Sequence, residues 1–209
     1  MIQNFRDFNL NEDIIKGLDD MKFSIPTQIQ EKAIPFILNG DDLVGLAQTG
    51  TGKTATFSLP ILQKLLTSEK ETKTQHPRAL ILAPTRELCA QIGKNLISYT
   101  KYCNISSYVA FGGVSSEPQI EALKGKIDVL VATPGRLVDL VEQKNVFLDE
   151  VQTLVLDEAD HIIEMGLRVD LKKILKAMPK ERQTLLFSAT MNKELKDASK
   201  EIFKPNPGS

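Results

Sequence analysis

Short apolar runs alternate with longer amphipathic stretches along most of the chain. Runs of four or five mostly aliphatic residues are typical of strands buried in a parallel sheet. They are Asp42–Leu46, Ala79–Ala83, Tyr108–Phe111, Asp128–Ala132, Thr153–Leu156 and Thr184–Phe187. Apolar residues at helical spacing predict helices over Ala55–Leu66, Arg86–Lys101, Arg136–Glu142, Leu167–Met178 and Lys193–Phe203. This alternation predicts an α/β fold, with a mostly parallel sheet and helices on both faces.

The segments between these elements carry turn and loop signals. Ser24–Thr27 predicts the start of a helix, with Pro26 or Thr27 near its first turn. Thr67–His76 is polar and charged, so we expect a solvated loop with His76 in water. The proline-rich tail from 205 cannot extend a helix and marks the edge of a domain, and Gly208–Ser209 is a tail or a cloning remnant.

The segment Ala47–Thr54 reads A-Q-T-G-T-G-K-T and follows the phosphate-loop pattern G-x-x-x-x-G-K-[ST], except that Ala stands at its first position. It lies between a predicted strand and a predicted helix, which is the context that this motif requires. Gly50 and Gly52 allow backbone N–H groups to converge on phosphate oxygens. Lys53 would place a charge on the β- and γ-phosphates, and the Thr54 hydroxyl can reach Mg²⁺. A flexible Gly/Thr turn with a stray lysine would not account for the flanking elements.

Three carboxylates follow the fifth predicted strand. Thr153–Leu156 ends directly in Asp157 and Glu158, and Asp160 comes two positions later. Open α/β sheets bind their ligands at the carboxyl ends of their strands. Acidic groups gathered at a buried edge require a cation, and Mg²⁺ prefers oxygen ligands of this kind. Acidic residues also favour the first turn of a helix, so the run taken alone has a second interpretation.

Further motifs follow other strand ends. Pro84–Leu88 follows the second strand, Gly112–Gly113 the third, Thr133–Arg136 the fourth and Ser188–Thr190 the last. Taken singly, Thr/Pro pairs are more often helix caps than binding sites. Taken together, two helix starts that each carry an arginine, beside a Gly-Gly loop, can grip a phosphodiester backbone. Interleaved aromatic residues are missing from these motifs, which argues against base stacking.

Composition narrows the class of protein without naming a partner. The 26 basic and 27 acidic residues give a net charge of −1, so overall charge does not indicate a nucleic-acid partner. No apolar run approaches a membrane span of about 18 residues. No secretory signal is visible, and Cys89 and Cys103 are isolated thiols. We therefore expect a cytoplasmic protein without membrane contact, whose two cysteines are reduced and act as small core residues.

The ordered motifs resemble those of the DEAD-box ATP-dependent RNA helicases, specifically their first RecA-like domain. Asp157–Asp160 reads D-E-A-D, and Lys22–Gln30 resembles the Q motif of that family, with Phe5 as its upstream aromatic residue. The segment Phe111–Ser115 and the two arginine motifs look most like the bacterial RhlE-like branch. The resemblance implies one RecA-like P-loop NTPase domain over residues 1–207, with a Q motif at about 3–31, the phosphate loop at 47–54 and the acidic motif at 157–160.

The resemblance implies ATP and Mg²⁺ as cofactors. Phe23 would stack on adenine, Gln30 would read its edges and Thr27 would support the pocket. The full set of nucleotide-binding positions implied in this way is Phe5, Phe23, Thr27, Gln30, Gln48, Thr49, Gly50, Thr51, Gly52, Lys53 and Thr54.

Catalysis and coupling are implied in the same way. Lys53, Asp157 and Glu158 would be catalytic: Asp157, with Thr54, would hold Mg²⁺ largely through water, and Glu158 would position or deprotonate the attacking water. Asp160 would link the acidic motif to Ser188 and Thr190, which the family associates with coupling hydrolysis to unwinding. Sugar-phosphate contacts to RNA, independent of base sequence, would come from Pro84, Thr85, Arg86, Gly112, Gly113, Thr133, Gly135 and Arg136.

Three departures from the family pattern matter. Lys22 replaces the usual glycine of the Q motif, which makes a strained backbone at that position less expected. His161 follows the acidic tetrad, either as a pH-sensitive neighbour or as a partly exposed residue that opens a short helix. None of the arginines (Arg6, Arg78, Arg86, Arg136, Arg168 and Arg182) forms the His-Arg-x-Gly-Arg cluster of the family's second domain, so we expect that partner domain to be absent from these residues.

Two other functions remain open at this point. One is a non-catalytic, nucleotide-gated docking module for RNA or protein, although such a module has no physical need for Lys53, Asp157 and Glu158 together. The other is a small kinase that shares the phosphate loop, although an acceptor-binding lid is not evident.

Overall fold

The six predicted strands form one sheet. The computed structural model describes residues 1–48 and 52–203; the middle of the phosphate loop and the tail, including the predicted domain edge after 204, lie outside these residues. The strands are β1 Leu43–Leu46, β2 Ala79–Leu82, β3 Ser107–Ala110, β4 Val129–Ala132, β5 Thr153–Leu156 and β6 Gln183–Ser188. All their pairings are parallel, in the order β1-β6-β5-β2-β4-β3. Each predicted strand differs from the observed one by at most one residue at either end.

Helices occupy most of the connections. They are α1 Glu12–Asp20, α2 Gln28–Leu38, α3 Lys53–Thr67, α4 Arg86–Tyr99, α5 Glu117–Leu123, α6 Pro134–Glu142, α7 Ala159–Glu164, α8 Arg168–Ala177 and α9 Lys193–Ile202, after a 3₁₀ helix at Phe5–Phe8. The predicted start of α2 is confirmed, because the Thr27 side chain caps its first turn. Among the described residues, no helix combines the length and apolar character needed to cross a bilayer.

Two hydrophobic cores cover the two faces of the sheet. Alternate strand residues such as Ile81, Val155 and Phe187 pack with α1–α4. Their neighbours, such as Leu82 and Leu156, pack with α6–α9 on the other face. Because both faces are buried, the strands carry continuous apolar runs rather than an alternating pattern. The α/β prediction, with helices on both faces of the sheet, is confirmed.

The expectation of an unstrained backbone at Lys22 is wrong. Lys22 has a φ of 59°, in the left-handed region that favours glycine. The Lys22 N–H donates to the Asp19 carbonyl at 3.0 Å, and the Phe23 N–H donates to the Leu18 carbonyl at 2.9 Å. This pair of bonds is the motif that commonly ends a helix with a left-handed residue. Lys22 therefore terminates α1 and sets the direction in which Phe23 leaves it.

The loop at Thr67–His76 is not simply solvated. Thr72 is buried, and its hydroxyl donates a short hydrogen bond to Asp128. The guanidinium of Arg78 is 6% exposed; its Nε donates to Thr72 at 2.9 Å, and it also lies 3.7 Å from Asp128. The Ser106 backbone N–H donates to the same carboxylate at 2.8 Å. A buried polar network thus ties this loop to the amino ends of β3 and β4.

Two further contacts hold the outer part of this loop. His76, predicted to be solvated, stacks on Phe147 with ring centroids 5.0 Å apart, and that prediction is wrong. Lys70 and Lys73 both contact the carboxylate of Glu150, Lys73 at 2.9 Å. The charges of the loop are therefore used to bind it to the segment before β5.

The two cysteines pack as the sequence predicts for small core residues. Cys89 is fully buried, and burial raises the pKa of its thiol to about 12. Cys103 is half-buried, and burial also raises its pKa. Both groups are therefore held as unreactive thiols near neutral pH.

Candidate functional site

The parallel topology brings the predicted motifs to one edge of the sheet. All six strands point the same way, so every segment that follows a strand begins at the carboxyl edge. The segment after β5 carries the acidic residues, and the one after β1 leads to Lys53. Because β6 lies between β1 and β5, the segment after β6 starts between those two.

A buried ion pair lies at this edge. Lys53, the first residue of α3, extends its ammonium to 2.9 Å from Oδ1 of Asp157. Their side chains are only 8% and 0% exposed. Removing both charges from water costs several kcal/mol per ion, so the pair contributes little to stability in itself.

The two carboxylate oxygens of Asp157 have different surroundings. Oδ1 accepts from Lys53 and from the Glu158 N–H at 2.9 Å, whereas the buried Oδ2 has no hydrogen-bond partner among the described residues. Burial raises the pKa of Asp157 even though Lys53 acts to lower it. An orphaned buried carboxylate oxygen of this kind fits a cation or the water that surrounds one.

The residues present fit a magnesium ion that keeps most of its water. Among residues 1–48 and 52–203, no three Asp, Glu, His or Cys side chains converge as a metal cluster. Mg²⁺ is commonly held by one or two carboxylates together with water and phosphate oxygens. Asp157 Oδ2 supplies such a ligand, and Thr54 lies in the first turn of α3 beside Lys53.

Glu158 adopts a strained backbone. Its φ and ψ of 49° and 52° are left-handed, where it serves as the N-cap of α7. Non-glycine residues in this region cost about 1–3 kcal/mol and concentrate at functional sites. The carboxylate of Glu158 remains 23% exposed and lies 3.2 Å from Nδ1 of His161. His161 itself is half-exposed in the first turn of α7, so it is both a helix-opening residue and a neighbour of Glu158.

Asp160 joins the acidic segment to the end of β6. Its Oδ2 accepts from the Thr190 hydroxyl at 3.0 Å and from the Thr190 N–H at 3.3 Å. The Ser188 hydroxyl donates to the Thr190 carbonyl at 2.6 Å. Burial acts to raise the pKa of Asp160, but hydrogen bonds to its ionised form, first of all that from the Thr190 hydroxyl, outweigh burial and the pKa falls. The structure therefore brings together the three residues predicted to couple the acidic motif to β6.

An aromatic pocket lies beside the start of α2. The rings of Phe5 and Phe23 stack with centroids 6.3 Å apart and an interplanar angle of 19°. Phe5 is 3% exposed, whereas Phe23 is 36% exposed and so offers a free aromatic surface. These rings, with Thr27 and Gln30, line a pocket of about 240 Å³. This is below the ~300–1,000 Å³ of most small-molecule sites and suits one heterocycle.

Gln30 connects this pocket to the phosphate loop. Its Oε1 accepts from the Thr27 N–H at 2.8 Å, and its Nε2 donates to the Gly52 carbonyl at 3.0 Å. An amide offers two donors and two acceptor positions, so the contacts with described residues leave one of each for a ligand. Gly52 has a φ of 82°, and a Cβ there would lie 2.4 Å from Gln30 Nε2. This position therefore requires glycine, both for its backbone conformation and for the approach of Gln30.

The remainder of the predicted phosphate loop is only partly described. Thr49, Gly50 and Thr51 lie outside the described residues. Gln48 is exposed just after β1.

A second, wider groove of about 640 Å³ lies where β2, β4 and β3 end. Every residue predicted to contact RNA lines it except Thr85. The Thr85 side chain instead caps α4, accepting from the Leu88 N–H at 3.2 Å. Thr133 lies at the corresponding position of α6, but its hydroxyl makes no capping bond. Gly113, with a φ of 81°, needs glycine for its backbone, whereas a Cβ at Gly112 would meet open space.

Both arginines of the groove are held by neighbouring groups. The Arg86 guanidinium lies over the Phe111 ring, 5.0 Å from its centroid, within the ~6 Å of a cation–π contact. Arg136 Nη1 donates to Gln119 Oε1 at 2.9 Å, and Nη2 donates to the Val114 carbonyl at 2.7 Å. Sequence reasoning missed Gln119. The available signal was its spacing of four from Leu123, which places both on the buried face of α5.

Comparison with known proteins agrees with this geometry. Residues 27–198 match the DEAD/DEAH box helicase family. The chain is 47% identical over 189 residues to the ATP-dependent RNA helicase CshA of Listeria monocytogenes, covering 90% of this chain and 35% of that protein. It is 43% identical over 202 residues to the ATP-dependent RNA helicase RhlB of Pseudomonas aeruginosa, covering 94% of this chain and 51% of that protein. It is also 42% identical to the probable ATP-dependent RNA helicase ddx27 of Dictyostelium discoideum, covering 95% of this chain and 25% of that protein.

The chain thus spans about a quarter to a half of the length of these relatives. The match includes the start of α2, the phosphate loop, the acidic segment and the end of β6. The predicted placement in an RhlE-like branch stays a prediction. On the strength of the family match, the chain belongs to the DEAD/DEAH box helicases.

Proposed function

We propose that the chain is the ATP- and RNA-binding N-terminal domain of a cytoplasmic ATP-dependent RNA helicase. The observation that carries this proposal is the junction at Gly52. On one side of it lie Lys53 and the buried Asp157, which has an unpaired oxygen. On the other side Gln30 joins it to the aromatic pocket. A site with a cation-binding end, a phosphate-binding loop and an aromatic base pocket fits a nucleoside triphosphate.

The base would enter the pocket of Phe5 and Phe23. The exposed ring of Phe23 supplies a stacking surface, and the remaining donor and acceptor of Gln30 match the paired donor and acceptor edges of adenine. Thr27 and Gly52 fix the orientation of that amide before any ligand arrives. We therefore expect recognition of adenine rather than of guanine.

Binding of the phosphates and of Mg²⁺ would separate the ion pair of Lys53 and Asp157. Lys53 would turn from Asp157 to the β- and γ-phosphates, and Asp157 with Thr54 would hold the hydration shell of Mg²⁺. When bound, the ion would neutralise charge that develops on the phosphates. Glu158, whose carboxylate is partly exposed, would orient the attacking water or accept its proton.

RNA would bind in the groove that contains Arg86 and Arg136. These groups suit sugar and phosphate contacts, which carry no base-sequence information. Asp160 links the acidic segment to Ser188 and Thr190. Through this link, a change in the bound nucleotide would affect the other segments at the carboxyl edge. In the family, a second RecA-like domain would close over both sites.

Taken by themselves, these 209 residues should turn over ATP slowly. An arginine finger contributes about 10³–10⁵ to the rate of phosphoryl transfer. None of the arginines in the chain belongs to the cluster that supplies it in this family. We expect binding of adenine nucleotide without duplex separation, which a strand-displacement assay on a short RNA duplex would check.

Calorimetric titration tests the proposed nucleotide specificity. With Mg²⁺ present, ADP should bind about five- to a hundredfold more tightly than GDP, because one bidentate base contact is worth about 1–3 kcal/mol. Gln30→Ala should reduce the ratio of the two affinities toward one, even if it weakens both. Equal affinity of the unsubstituted chain for ADP and GDP would overturn the assignment of Gln30.

A further inference from the structure

We infer that Gln119 is a positioning residue that holds the two groove arginines in one arrangement for binding a phosphodiester backbone. The inference rests on the proposed function, because it takes single-stranded RNA as the ligand of the groove. The residue itself lies on α5, outside every motif discussed above, and is 5% exposed.

The two ends of the Gln119 amide serve different parts of the groove. Nε2 donates to the Phe111 carbonyl at 3.0 Å, at the point where β3 ends. Oε1 accepts from Nη1 of Arg136 at 2.9 Å, on the first turn of α6. One buried side chain therefore joins the segment after β3 to the segment after β4.

The same bridge reaches the other arginine through Phe111. The Phe111 backbone is held by Gln119, and its ring lies under the Arg86 guanidinium at 5.0 Å. Stacking uses the face of the guanidinium and leaves the N–H donors at its edge. The connected set runs from Arg86 through Phe111 and Gln119 to Arg136, and so spans the segments after β2, β3 and β4.

The bridge leaves donors available on Arg136. The guanidinium has five N–H donors, of which Gln119 and the Val114 carbonyl each take one. Three donors remain for phosphate oxygens. Because the guanidinium is already fixed at two points, less side-chain freedom is lost when a phosphate binds.

The charges that line the groove are mixed in sign. Asp139, Glu142 and Asp170 also line it, beside Lys173, which lies 3.3 Å from Glu142. A groove of mixed charge cannot attract a polyanion through its overall potential alone. Its affinity for phosphate therefore depends on where the arginine donors point.

The simpler interpretation is that Gln119 only stabilises the fold. Gln183 provides a matched control, because it is a similarly buried glutamine, 7% exposed, at the opposite edge of the sheet. Its Nε2 donates to the carbonyls of Ile37 and Asp41 at 2.9 and 2.8 Å. Loss of either amide removes buried hydrogen bonds, but only Gln119 contacts the groove.

The test measures binding of a fluorescein-labelled oligouridine strand by anisotropy at several salt concentrations. Gln119→Met should weaken binding about two- to tenfold, the cost of ordering one long side chain. It should also reduce the slope of log affinity against log salt by up to about 0.7, the value for one phosphate contact on a single strand. Gln183→Met should leave both quantities at the values of the unsubstituted chain.

A double-substitution cycle asks whether Gln119 acts through Arg136. In an Arg136→Gln background, Gln119→Met should cause a smaller additional loss of RNA affinity than in the unsubstituted chain, because only the route through Phe111 to Arg86 remains. Gln119→Asn covers the case in which the methionine variant does not fold: its amide remains polar but cannot span both partners, so the same loss is expected.

Three results would overturn the inference: RNA affinity unchanged in a folded Gln119 variant, an equal loss in Gln183→Met, or a full additional loss in the Arg136→Gln background. If the unsubstituted chain itself does not bind the strand at low salt, the proposed RNA-binding function fails instead.

Discussion

Asp157 and Asp128 are both largely buried carboxylates at strand ends, but at opposite edges of the sheet they have opposite surroundings. Asp128, just before β4, accepts from Thr72 and Ser106 and pairs with Arg78. Asp157, just after β5, has a buried oxygen that no group in the described part of the chain contacts through a hydrogen bond. The amino edge uses its charge to hold the fold together. The carboxyl edge leaves an interaction unmade, as expected where a ligand is to complete it.

The backbone does not separate the two edges in the same way. At the carboxyl edge Glu158 has left-handed dihedral angles, and Lys22, which leads into the aromatic pocket, has them too. Strain of this kind persists only where surrounding structure enforces it. The amino edge has such residues as well, Gln75 before β2 and Lys144 before β5, so the two edges differ in how their charges are satisfied rather than in backbone strain.

The largest expected effect comes from comparing Asp128→Asn with Asp157→Asn. Asp128→Asn should lower the free energy of unfolding by about 2–3 kcal/mol, because hydrogen bonds to a charged group are lost and Arg78 keeps a buried charge. Asp157→Asn should change it by no more than about 1 kcal/mol: the charge left on buried Lys53 destabilises the fold, but the carboxylate that is removed is itself unfavourably buried. Urea denaturation at pH 7 measures both.

The sign of the contribution that the ionised Asp157 carboxylate makes to stability follows from its pKa. Burial raises that pKa above its ordinary value in the folded chain, so the folded state binds the proton more tightly than the unfolded state does. The ionised carboxylate therefore costs stability at neutral pH, and the cost is absent below the ordinary pKa of 3.8. Relative to the unsubstituted chain, Asp157→Asn should therefore become less stable as the pH falls toward 4, because only the unsubstituted chain gains stability on protonation. A loss of stability in Asp157→Asn equal to that in Asp128→Asn would remove the distinction between the two edges.

This comparison also separates what the sequence could predict from what it could not. The segment Thr153–Leu156 followed by Asp157 predicted both a buried strand and a site at its end, because the apolar run and the carboxylates are adjacent in sequence. The network around Asp128 could not be predicted in this way. Thr72, Arg78 and Ser106 meet Asp128 only because β2, β3 and β4 are neighbours, and loop composition alone indicated solvent.

Gln119 and Lys22 show two further limits of sequence reasoning. Gln119 matters through contacts with Phe111 and Arg136, which lie on other elements of the fold. Lys22 was misjudged because a lysine does not signal a left-handed residue, although its place at the end of α1 imposes one. Local pattern located the elements and the chemistry at their ends; the contacts between ends required the structure.

Lys22→Gly sharpens the comparison by removing strain without touching a charge network. Glycine adopts the left-handed region without cost, whereas a side chain there costs about 1–2 kcal/mol. The greater freedom of glycine in the unfolded chain offsets part of this gain. We expect the midpoint of thermal unfolding to rise, corresponding to about 0.5–1 kcal/mol. A lower midpoint would mean that Lys22 makes a stabilising contact that outweighs its backbone strain.

The smallest expected effect concerns Glu150, at the amino edge of the sheet. Hydrogen bonds from Lys70 and then Lys73 lower the pKa of Glu150 to about 2. Because the folded pKa lies below the ordinary value of 4.5, the ionised form stabilises the fold above that value. This contribution is lost as pH falls through the range from about 4.5 to 2. Both lysines are about half exposed or more, so solvent screens the contacts.

Glu150→Gln should therefore lower the free energy of unfolding by at most about 0.5 kcal/mol at pH 7. The difference from the unsubstituted chain should shrink as the pH is lowered below 4.5, because protonation removes the stabilising ionised form of Glu150. The ionised form of Asp157 has the opposite effect, since it lowers the stability of the fold. Urea denaturation at pH 7, 5 and 3.5 would follow both carboxylates in one series. If the Glu150→Gln difference grew on acidification, the lysine contacts would not be stabilising the ionised carboxylate, and the amino edge could no longer be described as the edge whose charges are satisfied.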